Sequence, residues 1–241
     1  MITLGEIAIM GGGCYGRFYL GQLHRAWQRG AVRWDRLRVV DHDASCAAAA
    51  MIEGAPATEL TCTTWVDFLE MWLDPAERGA ADRLVPTPLM PHLFADWLTD
   101  RARRQWPSHT ARRIAVEQPI GTPFDMLHPG DGNRYVSHAD WICPIHCIEP
   151  ARCPKIRAPR SWEMRDTVAA WNARRDEGPA ELAIFACRHV VYGVGMVEVT
   201  AILSAADDLD ARLESEDVAE MVIGSVSSCH GAVGLLRVAR S

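Results

Sequence analysis

Cys143, Cys147 and Cys153 stand at C-x3-C-x5-C in a proline-rich stretch, with His128 and His138 upstream and His146 between the first two cysteines. Soft thiolates at short spacing in an irregular segment are how iron–sulfur clusters and zinc are held. Two of the three cysteines precede a proline, as one ligand does in bacterial ferredoxin-type runs, although the spacing here is not the ferredoxin one. The paired C-x2-C hooks of a structural zinc knuckle are missing. The pattern favours an iron–sulfur site on Cys143, Cys147 and Cys153, with zinc as the alternative. His146, His138, Cys187 and Cys229 are candidates for the fourth position, unless it stays open to substrate. His146 is also the candidate catalytic acid or base. The bland alternative is three buried cysteines packed as small apolar side chains. Arg152, Lys155, Arg157 and Arg160 follow at once, and Lys155 is the only lysine in the chain. These cations would stabilise a negatively charged cluster, hold an anionic substrate or an acidic redox partner, or simply form a solvated basic loop.

A second constellation lies near the start. Gly11-Gly12-Gly13-Cys14-Tyr15-Gly16 satisfies G-x-G-x-x-G, directly after the apolar run Glu6–Met10 and ahead of a helical stripe made by Leu20, Leu23 and Trp27. In that setting the first glycine makes a tight turn, the second admits a pyrophosphate to the backbone, and the third lets helix pack on strand. The amides of the helix start then face the phosphates. Asp41 ends a second apolar run and is placed to hold ribose hydroxyls, somewhat farther along than the usual ~20 residues. His42 beside it is a candidate contact for adenine or ribose. A doubly wound sheet whose glycines only make a turn is the competing reading.

The elements around these residues repeat. Short strand-like runs at 6–10, 37–41, 57–62, 83–85 and 113–117 alternate with helical patterns, including an alanine-rich helix starting at Asp43 and a hydroxyl-x-x-acid start at Thr64. This alternation predicts a parallel sheet with helices on both faces. Residues 1–117 resemble a Rossmann-type NAD(P)-binding domain, carried by Gly11, Gly13, Gly16 and Asp41. The resemblance implies a cofactor cradle on Gly11, Gly12, Gly13, Cys14, Tyr15, Gly16, Asp41 and His42. An acid with no arginine directly after it resembles an NAD site more than an NADP site. S-adenosylmethionine is the main competing ligand. Residues 118–160 read as a Cys/His-rich metal-binding loop, and 161–241 as a smaller C-terminal α+β region with helices near 161–178 and 201–213.

Composition sets the remaining limits. The 241 residues are 49% apolar and 23% charged, which excludes a disordered or collagen-like chain. A net charge of −6 argues against general nucleic-acid binding. No apolar run approaches the ~18–20 residues of a membrane span, and no secretory signal is visible at the start, so a cytoplasmic protein is expected. The expected function is an NAD(H)-linked oxidoreductase acting on a small molecule, carrying a cysteine-ligated iron–sulfur site. A small-molecule substrate or redox partner is expected, and homodimer formation is left open. The rival classes are a non-catalytic NAD or redox sensor and a zinc-stabilised transferase using S-adenosylmethionine.

Overall fold

The computed structural model describes residues 1–143 and 147–241. In chain order the first half holds β1 (Ile2–Met10), α1 (Cys14–Gln28), β2 (Val32–Asp41), β3 (Thr58–Cys62), α2 (Trp65–Trp72), β4 (Arg83–Val85), α3 (Leu93–Gln105) and β5 (His109–Ile114). There follow β6 (Phe124–Leu127), β7 (Arg134–Ser137), β8 (Arg152–Cys153), β9 (Ala158–Pro159) and α4 (Met164–Asn172). The chain ends with β10 (Glu181–Ala186), β11 (Arg188–Val191), β12 (Val194–Glu198), α5 (Val199–Ser215), β13 (Val218–Val226) and β14 (His230–Arg240). It is a mixed α/β protein of two compact units, Met1–Met90 with Cys187–Leu203, and Pro91–Ala186 with Ser204–Ser241.

The first unit is built on a six-stranded sheet in the order β11-β12-β4-β1-β2-β3. Strands β4, β1, β2 and β3 run parallel, while β12 joins β4 antiparallel and β11 pairs back on β12. Ile7, Ala8 and Ile9 of β1 are fully buried, as the middle of a parallel sheet covered on both faces requires. Leu20 and Leu23 of α1 pack into the same core with Val39, Val85 and Met196. The hydroxyl-x-x-acid start is realised at α2, where Thr64 Oγ1 accepts from the Asp67 amide at 3.1 Å.

The alanine-rich helix expected after Asp43 is replaced by one 3-10 turn, Ala49–Met51. Asp43 Oδ1 accepts from the Ser45 amide at 2.8 Å, a local turn that competes with helix. The Ala48 amide is drawn to the Gly12 carbonyl at 2.8 Å, so the segment is anchored to the glycine turn instead of coiling on itself.

The second unit carries a sheet in the order β10-β13-β14-β7-β6, with β5 also on β14. Only β10 and β13 are parallel; the other pairs are antiparallel. Met164, Val168 and Trp171 of α4 pack on Val222, Val233 and Leu235. The expected fifth strand of the first sheet is therefore corrected. Residues 109–114 form β5 and pair antiparallel with β14. Its Arg112-Arg113 pair breaks the apolar continuity of a central parallel strand, and Arg113 reaches Asp96 at 3.0 Å. The first unit accordingly ends at Met90, not at 117, and recruits β11 and β12 from the expected C-terminal region. The expected loop 118–160 likewise contributes β6, β7 and the short β8–β9 pair.

Candidate functional site

The glycine turn joins β1 to α1. Gly11 has φ +94°, a conformation that side chains other than glycine rarely adopt, and the indole of Trp65 lies over it, 3.1 Å from where a Cβ would sit. A methyl at Gly12 would overlap Cys46 Sγ, and one at Gly16 would overlap the carbonyl oxygen of Gly11. Gly13 differs: a methyl there meets no atom within 4 Å. It is the N-cap of α1 and offers no side-chain cap, so the first amides of the helix are left without a side-chain acceptor there. Cys14 and Tyr15 of that first turn are exposed.

Asp41 closes β2 beside this turn and is 9% exposed. Its Oδ2 accepts from the Gly12 amide at 2.6 Å and its Oδ1 from the Asp43 amide at 3.0 Å. Each oxygen retains a second acceptor position, so the acid both braces the turn and keeps capacity for a hydroxyl. His42 is exposed, with Nδ1 3.4 Å from Asp41. The residues fit a dinucleotide: one glycine facing open space, two that close approach demands, and an acid at the end of the neighbouring strand. Trp65 and Cys46 were missed by sequence reasoning, because only the folded turn brings them to the glycines.

In the second unit Cys143, Cys147, Cys153 and Cys229 line one small cavity, walled by Trp141 and Trp162. The cysteine segment is tied to the β13–β14 turn by Glu149. Its carboxylate accepts from Ser227 Oγ at 2.6 Å and from the Ser228 amide at 2.7 Å. Arg160 donates to the Glu149 carbonyl and pairs with Glu163. Two N–H groups point at sulfur: the Glu149 amide to Cys147 at 3.4 Å and the Trp162 indole to Cys229 at 3.3 Å. Burial pushes the Cys143 thiol up, and the neighbouring Cys147 adds to the shift. Burial likewise pushes Cys229 up to about 11. A bound cation reverses this preference, because a coordinated thiol is deprotonated.

None of the eight cysteines is in a disulfide. Among the described residues, no three His, Cys, Asp or Glu side chains already stand as a metal-ligating group. The donor set nevertheless fits a thiolate-held centre: four soft sulfurs on one cavity, an apolar wall, and N–H donors to two of the sulfurs. His146 lies outside the described residues. His138 is engaged elsewhere, its Nε2 2.9 Å from Thr167 Oγ1 and its ring stacked on Trp162. Cys187 belongs to the first unit, beside Gly195. Arg152, Lys155 and Arg157 are exposed, whereas Arg160 lines the cavity.

Among the described residues, no helix is long and apolar enough to cross a membrane. No curated protein and no solved structure matches the chain. Residues 94–239 match the family model AF_1314_C, described as "Uncharacterized protein, C-terminal domain". That span holds every residue of the cysteine cavity and none of the glycine turn. Since the match extends over more than half of the chain, the protein belongs to the AF_1314_C family.

Proposed function

We propose that the chain is an NAD(H)-linked redox protein, an oxidoreductase acting on a small molecule, with an iron–sulfur cluster held by Cys143, Cys147 and Cys153. The observation that carries this reading is the convergence of these three cysteines on one cavity, on a segment fastened by Glu149. Scattered core cysteines acting as small apolar groups have no reason to converge on a cavity where N–H groups reach the sulfurs of Cys147 and Cys229.

The parallel run β4-β1-β2-β3, with the glycine turn at the end of β1, supports reading the first unit as Rossmann-like. Gly13 and the amides of Cys14 and Tyr15 would receive the pyrophosphate, Gly11, Gly12 and Gly16 would hold the turn, and Asp41 would take the ribose hydroxyls, with His42 at its edge. When bound, nicotinamide supplies hydride transfer and the cluster supplies one-electron transfer. Arg160 places a guanidinium at the cavity, where it offsets the negative charge that thiolate ligation brings.

Anaerobic purification with iron, sulfide and zinc analysis, together with titration by NADH and by S-adenosylmethionine, tests the proposal. Iron and sulfide in comparable amounts and binding of NADH are expected. Colourless protein loaded with zinc, or binding of S-adenosylmethionine alone, would sink it. Turnover of a redox dye with NADH separates the enzyme from a sensor that only binds.

A further inference from the structure

We infer that Cys229 supplies the fourth thiolate and closes the metal centre against substrate, an assignment that rests on the thiolate-held centre proposed above. The sulfur comes from a different part of the chain, the turn between β13 and β14, yet it lines the same cavity as Cys143, Cys147 and Cys153. Its position is built rather than incidental. The Cys229 carbonyl accepts from the His138 amide at 2.9 Å, and the Cys229 amide donates to Ser227 Oγ at 3.4 Å. The Glu149 carboxylate holds Ser227 and Ser228, the two residues before it, from the cysteine segment itself. One carboxylate thus fixes the spacing between the local cysteines and the distant one.

Among the described residues, the histidines near the cavity are less suited. His138 is committed to Thr167 and to the face of Trp162. His230 lines the cavity, but its Nδ1 is 2.9 Å from Ser137 Oγ and the residue is only part-buried, while Cys229 is buried. A buried thiol lining the same cavity as three other cysteines, with an indole N–H at 3.3 Å, matches the surroundings in which ligated sulfur is hydrogen-bonded. Four thiolates complete a tetrahedral or cubane ligand set and leave no open metal position. An iron–sulfur centre held by these four residues would supply electron transfer without an open ligand position, and substrate would bind elsewhere.

Cobalt(II) titrated into the whole chain under anaerobic, reducing conditions reads the number of thiolates through sulfur-to-metal charge transfer, whichever metal is native. Wild type should give the intensity of four thiolates, Cys229→Ser that of three with at least tenfold weaker binding, and His230→Gln the wild-type signal. Cys229→Ser is close to isosteric, and thermal unfolding checks that it folds. A folded Cys229→Ser variant with the full wild-type signal would overturn the inference, as would loss of one thiolate's intensity in His230→Gln. Iron and sulfide analysis of the wild type is a separate measurement, so failure of the iron–sulfur reading is distinguishable from failure of the Cys229 assignment.

Discussion

Gly13→Ala separates a nucleotide cradle from a glycine turn that only serves the fold. A methyl at Gly13 meets no atom within 4 Å, and its φ of −68° suits any residue. The expected folding cost is that of a poorer N-cap, about 0.5–1 kcal/mol. In a dinucleotide complex the same methyl would stand between the backbone and the pyrophosphate. Losing one charge-assisted hydrogen bond there costs about 1.5–3 kcal/mol, or roughly a 10- to 150-fold rise in Kd. Gly16→Ala is the contrast, because its methyl would overlap the Gly11 carbonyl oxygen and should destabilise the fold by about 3 kcal/mol or more. Calorimetric titration with NADH and thermal unfolding on both variants form the assay. A folded Gly13→Ala variant that binds NADH with wild-type affinity would refute the cradle.

Three further outcomes are expected. Asp210→Ala removes a carboxylate that accepts from both Arg101 nitrogens, at 3.0 and 2.6 Å, and from the Trp106 indole at 2.8 Å; chemical denaturation should show a loss of about 2–4 kcal/mol, and a loss below ~0.5 kcal/mol would contradict the bidentate pairing. Burial holds the His24 imidazole below its ordinary value, so the unfolded chain takes up its proton at higher pH than the folded one. The stability from this group is present above about pH 6.5 and is lost as pH falls from there through the lower folded value; His24→Gln should flatten the acid limb of the melting curve, and an unchanged slope would remove His24 as its source. Glu149→Ala strips the acceptor from Ser227 Oγ and the Ser228 amide, and should cost about 3 kcal/mol together with most of the bound metal, as read by metal analysis on folded protein; full metal content would show that Glu149 does not position the cysteines.

The strands and helices were legible where periodicity and chain-local chemistry decided them. The stripe of Leu20 and Leu23, the Thr64–Asp67 cap and the apolar run into Gly11 all form as their residue types dictate. The expectation failed where a side chain redirected the backbone or where pairing was non-local. Asp43 turned the alanine-rich stretch away from helix through the Ser45 amide. The β6–β7 hairpin did leave a signal, the Asp131-Gly132 pair, with Gly132 at φ +71° and the Asn133 amide on Asp131 at 2.9 Å. Arg112 and Arg113 were a warning against a central parallel strand, and β5 found an antiparallel partner in β14 instead.

The site followed the same division. Three cysteines at short spacing are a local pattern, so they stand out in the sequence; a fourth from the β13–β14 turn is brought to them only by the fold. The residue that joins the two parts, Glu149, carries no motif at all. Its importance comes from geometry: two hydrogen bonds to consecutive residues of the turn, and a backbone amide on Cys147 Sγ. A cluster of thiols without such a fastening would relax apart, because burial favours the neutral form of Cys143 and Cys229 and neutral thiols attract one another little. With it, four cysteines line one cavity in the folded chain, which would lower the ordering cost of binding at the proposed metal centre. If the proposed centre forms, metal content should therefore respond to Glu149, acting through the position of the turn, nearly as strongly as to a ligating cysteine.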